Sequence, residues 1–250
     1  MTNGWEESDF AESAEVRKGL KFRIRFAGSF VCRFMRDRSL LRSLRAMLRG
    51  RGETIDERGR SPLFLLQAIQ SLREDPMLAD IGNDFVVEIA GAREAETQQI
   101  IDETESGGFV RQLGYLPHDE SARFIAGADA LLLPMHALPP RARARMVPGK
   151  LYEYFGTGRP ILGLCPEGDA RDWISRDPRS RVADPIDFEE IAAKLCEMHA
   201  MWRRGEYAHS QRAAWTADFT RRAQAERMAE YLRSVTGRSA RTISDASRAA

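Results

Sequence analysis

"PGKLYEYFGTGRPILGLCPEGD", residues 148–169, sets a short amphipathic helix between two turn signals and runs it straight into the apolar stretch at 160–165. A helix feeding a short, wholly apolar strand is the unit of a parallel sheet buried on both faces by helices. The same alternation continues in both directions. Strands are expected at "KFRIRFAG" (21–28), "DFVVEIAG" (84–91), "VRQLGYL" (110–116), "DALLLPM" (129–135), "PILGLC" (160–165) and, weakly, "SRVAD" (180–184). Helices fall between them at about 62–75, 94–106, 119–127, 149–157 and 168–175, followed by a pair at 187–204 and 211–235. This is an α/β pattern: a Rossmann-like, doubly wound parallel sheet of about six strands.

The 250 residues and 43% apolar content suffice for one large α/β domain. Lys and Arg (38) nearly balance Asp and Glu (37), so no global field marks a nucleic-acid binder, and no nucleic-acid partner is expected. The cysteines, Cys32, Cys165 and Cys196, are too scattered for a disulfide framework or a zinc site. No window is long and apolar enough for a membrane span, and the N-terminus is acidic and polar, unlike a signal peptide. A cytoplasmic location is the expectation.

Two regions break the alternation. Residues 237–250 are small, polar and aperiodic and read as a disordered tail. Residues 31–60 stand where a doubly wound fold needs only a short loop. Within them Leu40, Leu41, Leu44, Met47 and Leu48 form an apolar stripe of helical period, with Arg36, Arg38, Arg42, Arg45 and Arg49 mostly off it. The spacing predicts a basic amphipathic helical insert after the first strand. Two readings stand for it: a helix packed on this domain with its arginines in water, or an interfacial helix lying through residues 31–52 on an anionic membrane surface.

The glycine patterns of dinucleotide binding, of the P-loop and of the hydrolase nucleophile elbow are all absent. A phosphate site must be built another way. Pro148 and Gly149 open a helix whose first amides have no intrahelical acceptor, at the carboxyl edge of the sheet. Lys150 adds a positive charge at that mouth, and Glu153 lies one turn on, suited to accept hydrogen bonds from sugar hydroxyls. Phosphate plus polyol is the make-up of a sugar nucleotide. The alternative is a capping acid beside a solvated lysine. His118 and His136 read as surface or loop histidines, and Trp173, Trp202 and Trp215 as packing residues.

"PGKLYEYFGTGRPILGL" resembles the donor-binding segment of the family-4 (group 1) glycosyltransferases, in which two glutamates eight residues apart precede an A-x-G-x-P turn; Glu153 falls on the second glutamate, while Arg145 stands at the first. "GYLPHDESARFIAGADALLLP" resembles the family's base-contacting strand and helix, "TNGWEESDF" its interdomain hinge, and "FTRRAQAERMAEYLRSV" its final helix. The resemblance implies the C-terminal, donor-binding half of a two-domain GT-B fold. Residues 1–20 would then be the hinge, 21–236 the nucleotide-sugar domain, and the N-terminal acceptor half would be supplied by a partner in trans. It implies hexosyl-type transfer to a hydroxyl with retention of configuration, without metal or cofactor. By the same resemblance Lys150 and Glu153 are the catalytic candidates. Gly28, Ser29, Arg60, Pro148, Gly149, Lys150 and Leu151 would hold the donor diphosphate, and Gly114, Tyr115, Leu116 and Glu153 the base and ribose. The other reading is a non-catalytic nucleotide-sugar-binding module, or a truncated remnant that needs a separate acceptor-domain partner.

If the insert meets anionic lipid, binding to vesicles containing phosphatidylserine should be salt-sensitive, since each arginine near the surface contributes about 1 kcal/mol and is screened within a Debye length. Cosedimentation of the chain with and without residues 31–59 checks this; equal vesicle affinity would leave the packed-helix reading.

Overall fold

The computed structural model describes residues 4–10, 21–35 and 55–236. The apolar stripe of the insert and the predicted tail at 237–250 lie outside the described residues. One parallel sheet organises the rest, in the order β3-β2-β1-β4-β5-β6, with β1 at Phe22–Ala27, β2 at Phe85–Ala90, β3 at Val110–Gly114, β4 at Ala130–Pro134, β5 at Ile161–Leu164 and β6 at Arg181–Ala183. The Rossmann-like doubly wound architecture read from the alternation is the architecture found.

Strand composition assigns the two faces. In β1, Phe22, Ile24 and Phe26 turn to one side and are buried, while Arg23 and Arg25 turn to the other. The apolar side packs beneath α1 (Leu63–Glu74), α3 (Ala95–Glu103) and α7 (Phe188–Arg203). The opposite side carries α4 (His118–Ala126) and α5 (Gly149–Thr157). Charges inside a central strand are tolerated because each is paired. Arg25 Nε lies 2.7 Å from Glu88 Oε2, Arg25 Nη1 donates to the Phe124 carbonyl at 2.6 Å, and Arg23 Nε lies 3.1 Å from Asp129. β4 and β5 are buried along both faces, as their unbroken apolar sequence requires.

Strand and helix positions agree with the sequence reading to within a few residues, with two differences. A short helix, α2 (Ala79–Asp84), fills the stretch before β2. The last helix, α8 (Arg221–Thr236), starts ten residues later than the predicted 211. The intervening residues are used otherwise. Arg212 caps the carbonyls of Gly156 and Phe10, and the turn Ala214–Phe219 presses Trp215 and Phe219 against Phe155 and Trp173. The tryptophans are packing residues: Trp202 meets Phe22 edge-on, 5.5 Å between centroids. Another short helix, α6 (Asp169–Ile174), completes the set.

The N-terminal stretch docks back onto this corner. Trp5 exchanges backbone hydrogen bonds with Phe219 and Arg221, and Trp5 and Phe10 are both buried. Their rings lie against Gly156, where a β-carbon would stand 2.8 Å from each. Gly156→Ala should therefore destabilise the fold by about 1–2 kcal/mol, the overpacking cost exceeding the gain in helix propensity. A lower urea midpoint at unchanged slope is the expected result.

Candidate functional site

The order of the sheet reverses between β1 and β4, so the connections leaving these neighbours depart in opposite directions and open a crevice at their carboxyl ends. Gly28 follows β1 there with φ +142°, a conformation that L side chains rarely adopt. Its amide donates to the Ala90 carbonyl at 2.7 Å, and the amide of Gly91 to that of Gly114 at 2.8 Å, which ties together the ends of β1, β2 and β3.

Helix α5 delivers charge to this edge. Leu151, Tyr154 and Phe155 are its buried face, and the Tyr154 hydroxyl donates to the Leu132 carbonyl at 3.1 Å. Lys150 and Glu153, three residues apart, are thereby held on the opposite side. Lys150 reaches back over the sheet end: its Nζ is 4.5 Å from the centroid of the Phe26 ring, which stacks on Phe30 at 4.3 Å. A β-carbon at Gly28 would fall on that ammonium, so the glycine leaves the lysine its place. Among the described residues Lys150 has no hydrogen-bonded or ion-paired partner. Burial lowers its pKa, the nearby charge of Arg60 lowers it further, and Glu153 acts in the opposite sense.

Residues 55–60 form the facing wall. Asp56 and Ala137 exchange backbone hydrogen bonds of 2.9 and 3.0 Å, while the Asp56 side chain caps the turn Glu57–Arg60 through the Arg58 amide. The Arg60 carbonyl accepts from Val31 at 3.2 Å. The resulting cleft, about 210 Å³, has Phe26, Leu133 and Met146 as apolar lining and Arg60, His136 and Lys150 as its cationic or titratable groups. The His136 Nδ1 is shielded from solvent and has no hydrogen-bond partner among the described residues. Burial lowers the pKa of that ring, as does the charge of Arg60, with Glu57 opposing.

Of the residues named from sequence, Arg60, Pro148, Gly149 and Lys150 line this one cleft, and Gly28 adjoins it. Ser29 is exposed beside Gly28. Leu151 is set back from it: its side chain is wholly buried and its amide donates to the Pro148 carbonyl at 3.0 Å. Glu153 is exposed and outside the cleft lining, among Asp9, His118 and Arg221. Enough protein surrounds its carboxyl to raise its pKa by desolvation, against the charges of His118 and Lys150. Gly114, Tyr115 and Leu116 end β3, two strands along the same edge; Tyr115 is 83% exposed and Leu116 packs into the core. His136 is the residue the sequence reading passed over. Its signal was position: it is the first polar side chain beyond an apolar strand that borders the reversal point. In the arginine-rich loop, Arg143 pairs with Asp172 at 2.7 Å and Arg145 is exposed.

No family model matches this sequence, and no curated protein matches it. Solved structures do. HepE of Anabaena, in complex with UDP and glucose, is similar over 92% of this chain and 55% of its own, at 12% identity and TM-score 0.58. AviGT4, a glycosyltransferase involved in avilamycin A biosynthesis, is similar over 94% of this chain and 58% of its own, at 15% identity and TM-score 0.55. Sucrose-phosphate synthase from Thermosynechococcus elongatus is similar over 95% of this chain and 52% of its own, at 12% identity and TM-score 0.55. The likeness is one of fold, and the chain spans about half the length of these structures.

Arg60→Gln should raise the Lys150 pKa, because it removes a like charge, and Glu153→Gln should lower it further. Titration of the 13C-methylated lysines by NMR reads both shifts.

Proposed function

We propose that this chain is the donor-binding domain of a glycosyltransferase, the C-terminal half of a GT-B fold, and that its ligand is a nucleotide diphospho-sugar. The observation that carries this reading is the Lys150 ammonium, seated against Gly28 at the reversal point, with Arg60 lining the same cleft and no carboxylate salt-bridged to the lysine among the described residues. Two cations and the first amides of α5 favour a diphosphate there. As the glycosyl bond breaks, charge grows on the leaving diphosphate, and fixed donors of this kind stabilise it at little reorganisation cost. Glu153, outside the cleft on the same helix, is assigned to hydroxyls of ribose or sugar, and the Gly114–Leu116 segment to the base. The HepE structure, which contains UDP and glucose, supports the ligand class.

Since the chain spans about half the length of the similar structures, turnover is assigned to its pairing with an acceptor domain, in the same polypeptide or in another. Retention of configuration, independence of metal, family-4 membership and a peripheral site on an anionic membrane through residues 31–52 come from the resemblance and from the insert's sequence, and belong to the same proposal. No described helix is long and apolar enough to cross a membrane.

Calorimetry with uridine, UDP and UDP-glucose, and with the guanosine and adenosine counterparts, tests the reading. A charge-assisted hydrogen bond from Lys150 contributes about 1.5–3 kcal/mol, so Lys150→Ala should weaken diphosphate binding about ten- to a hundredfold and leave nucleoside binding nearly unchanged. Glu153→Gln should weaken the nucleoside part instead. Failure of the wild type to bind any of these ligands would remove the donor-site reading.

A further inference from the structure

His136 is the titratable side chain lining the cleft for which the proposed function has no use. It stands two residues past the end of β4, its backbone held on one side by the bond from the Met135 amide to the Leu164 carbonyl and on the other by the Asp56–Ala137 bridge. Its ring lines the same cleft as Arg60 and Lys150. A shielded ring nitrogen without a partner is uncommon, because burying an unpaired donor or acceptor costs about 1–3 kcal/mol. With Nδ1 shielded, the ring meets the cleft by its other edge, where a ligand can reach it.

We propose that His136 is a third anion-contacting group of this cleft and that it takes up a proton when a diphosphate binds. The identity of the ligand rests on the function proposed above; the proton linkage is additional to it. The groups facing the ring are Arg60 and Glu57 from the turn at 57–60 and Lys150 from α5 across the cleft. In the free protein burial and the charge of Arg60 disfavour a charged ring, with Glu57 opposing. A diphosphate in the cleft reverses the balance of charge: its negative charges outweigh those of Arg60 and Lys150, and its oxygens accept from the edge of the ring that lines the cleft. The imidazole then binds one proton from solvent, with no bond broken in the ligand.

The sign follows. In the free protein the His136 pKa is held below the ordinary imidazole range, by burial first and by Arg60 second. In the complex it is raised. Ligand affinity is therefore greatest below the free-state value, falls as pH rises between the two values, and is level above the bound-state value. One linked proton changes affinity by up to about tenfold per pH unit inside that window.

The experiment is calorimetry of the whole chain with UDP-glucose, whose doubly esterified diphosphate does not itself titrate where histidine does. It is run from about pH 5 to 8 in two buffers of different ionisation heat. Wild type, His136→Gln and Lys150→Ala are compared. Uptake of a proton by the wild type, tightening as pH falls and loss of both in His136→Gln, with binding itself retained, supports the inference. Binding that Lys150→Ala weakens but that is independent of pH, or whose pH dependence survives in His136→Gln, overturns the proton linkage and leaves the donor-site reading standing. Absence of UDP-glucose binding at every pH overturns both. A ring that only packed against its neighbours would change stability on substitution without moving the proton count.

Discussion

A single buried hydroxyl decides where the charge of this protein goes. Tyr154 donates to the carbonyl of Leu132 in the middle of β4, and the bond fixes the rotation of α5 about its own axis. With Leu151 and Phe155 in the core, that rotation leaves Lys150 one direction to extend, over the end of β1. Burial of the phenol strongly disfavours its ionisation, so the tie holds through ordinary pH. A helix turned by one residue would place Lys150 a hundred degrees away, in water.

The cleft differs from the rest of the molecule in how it handles buried charge. Arg23, Arg25 and Arg179 each pair with a carboxylate, and Arg159 gives hydrogen bonds to the Ala126 and Tyr207 carbonyls. Those groups are compensated within the protein and hold elements together. Lys150 and Arg60 share a cleft in which their mutual effect is unfavourable: the charge of Arg60 lowers the lysine pKa. Uncompensated like charges destabilise a fold by themselves, and sites that carry them trade stability for binding. Among the described residues the framework arginines are salt-bridged or hydrogen-bonded, whereas the half-buried Lys150 and the exposed Arg60 at the reversal point have no carboxylate salt-bridged to them, and that contrast is what the proposed site rests on.

Much of this was legible in the sequence. The alternation of apolar runs with helix-period segments was enough for the sheet, since strands buried on both faces leave an unmistakable signature, and "PGKLYEYFG" was enough for the helix that brings Lys150 to the edge. The start of α8 was not legible, because Trp215 and Phe219 occur at helical spacing yet pack from a 3-10 turn that Arg212 holds in place. Tertiary contacts overrode the local pattern there. The membership of Arg60 and His136 in one cleft was half visible: Arg60 was a candidate on chemistry, whereas the approach of residues 55–60 to residues 135–137 depends on a two-residue bridge with no sequence mark. The buried Leu151 shows the converse, for a motif names a stretch of chain while packing decides which of its side chains face a ligand.

The same bridge has a consequence for how this protein can vary. The hydrogen bond from Val31 to Arg60 and the pairing of Asp56 with Ala137 anchor both ends of the chain that runs between them. These contacts are made by main-chain atoms, so substitutions at Val31 or Ala137 that keep an amide N–H leave Arg60 its place in the wall. The arginine at the cleft is held by three backbone hydrogen bonds, which depend on the course of the chain and not on which side chains it carries there.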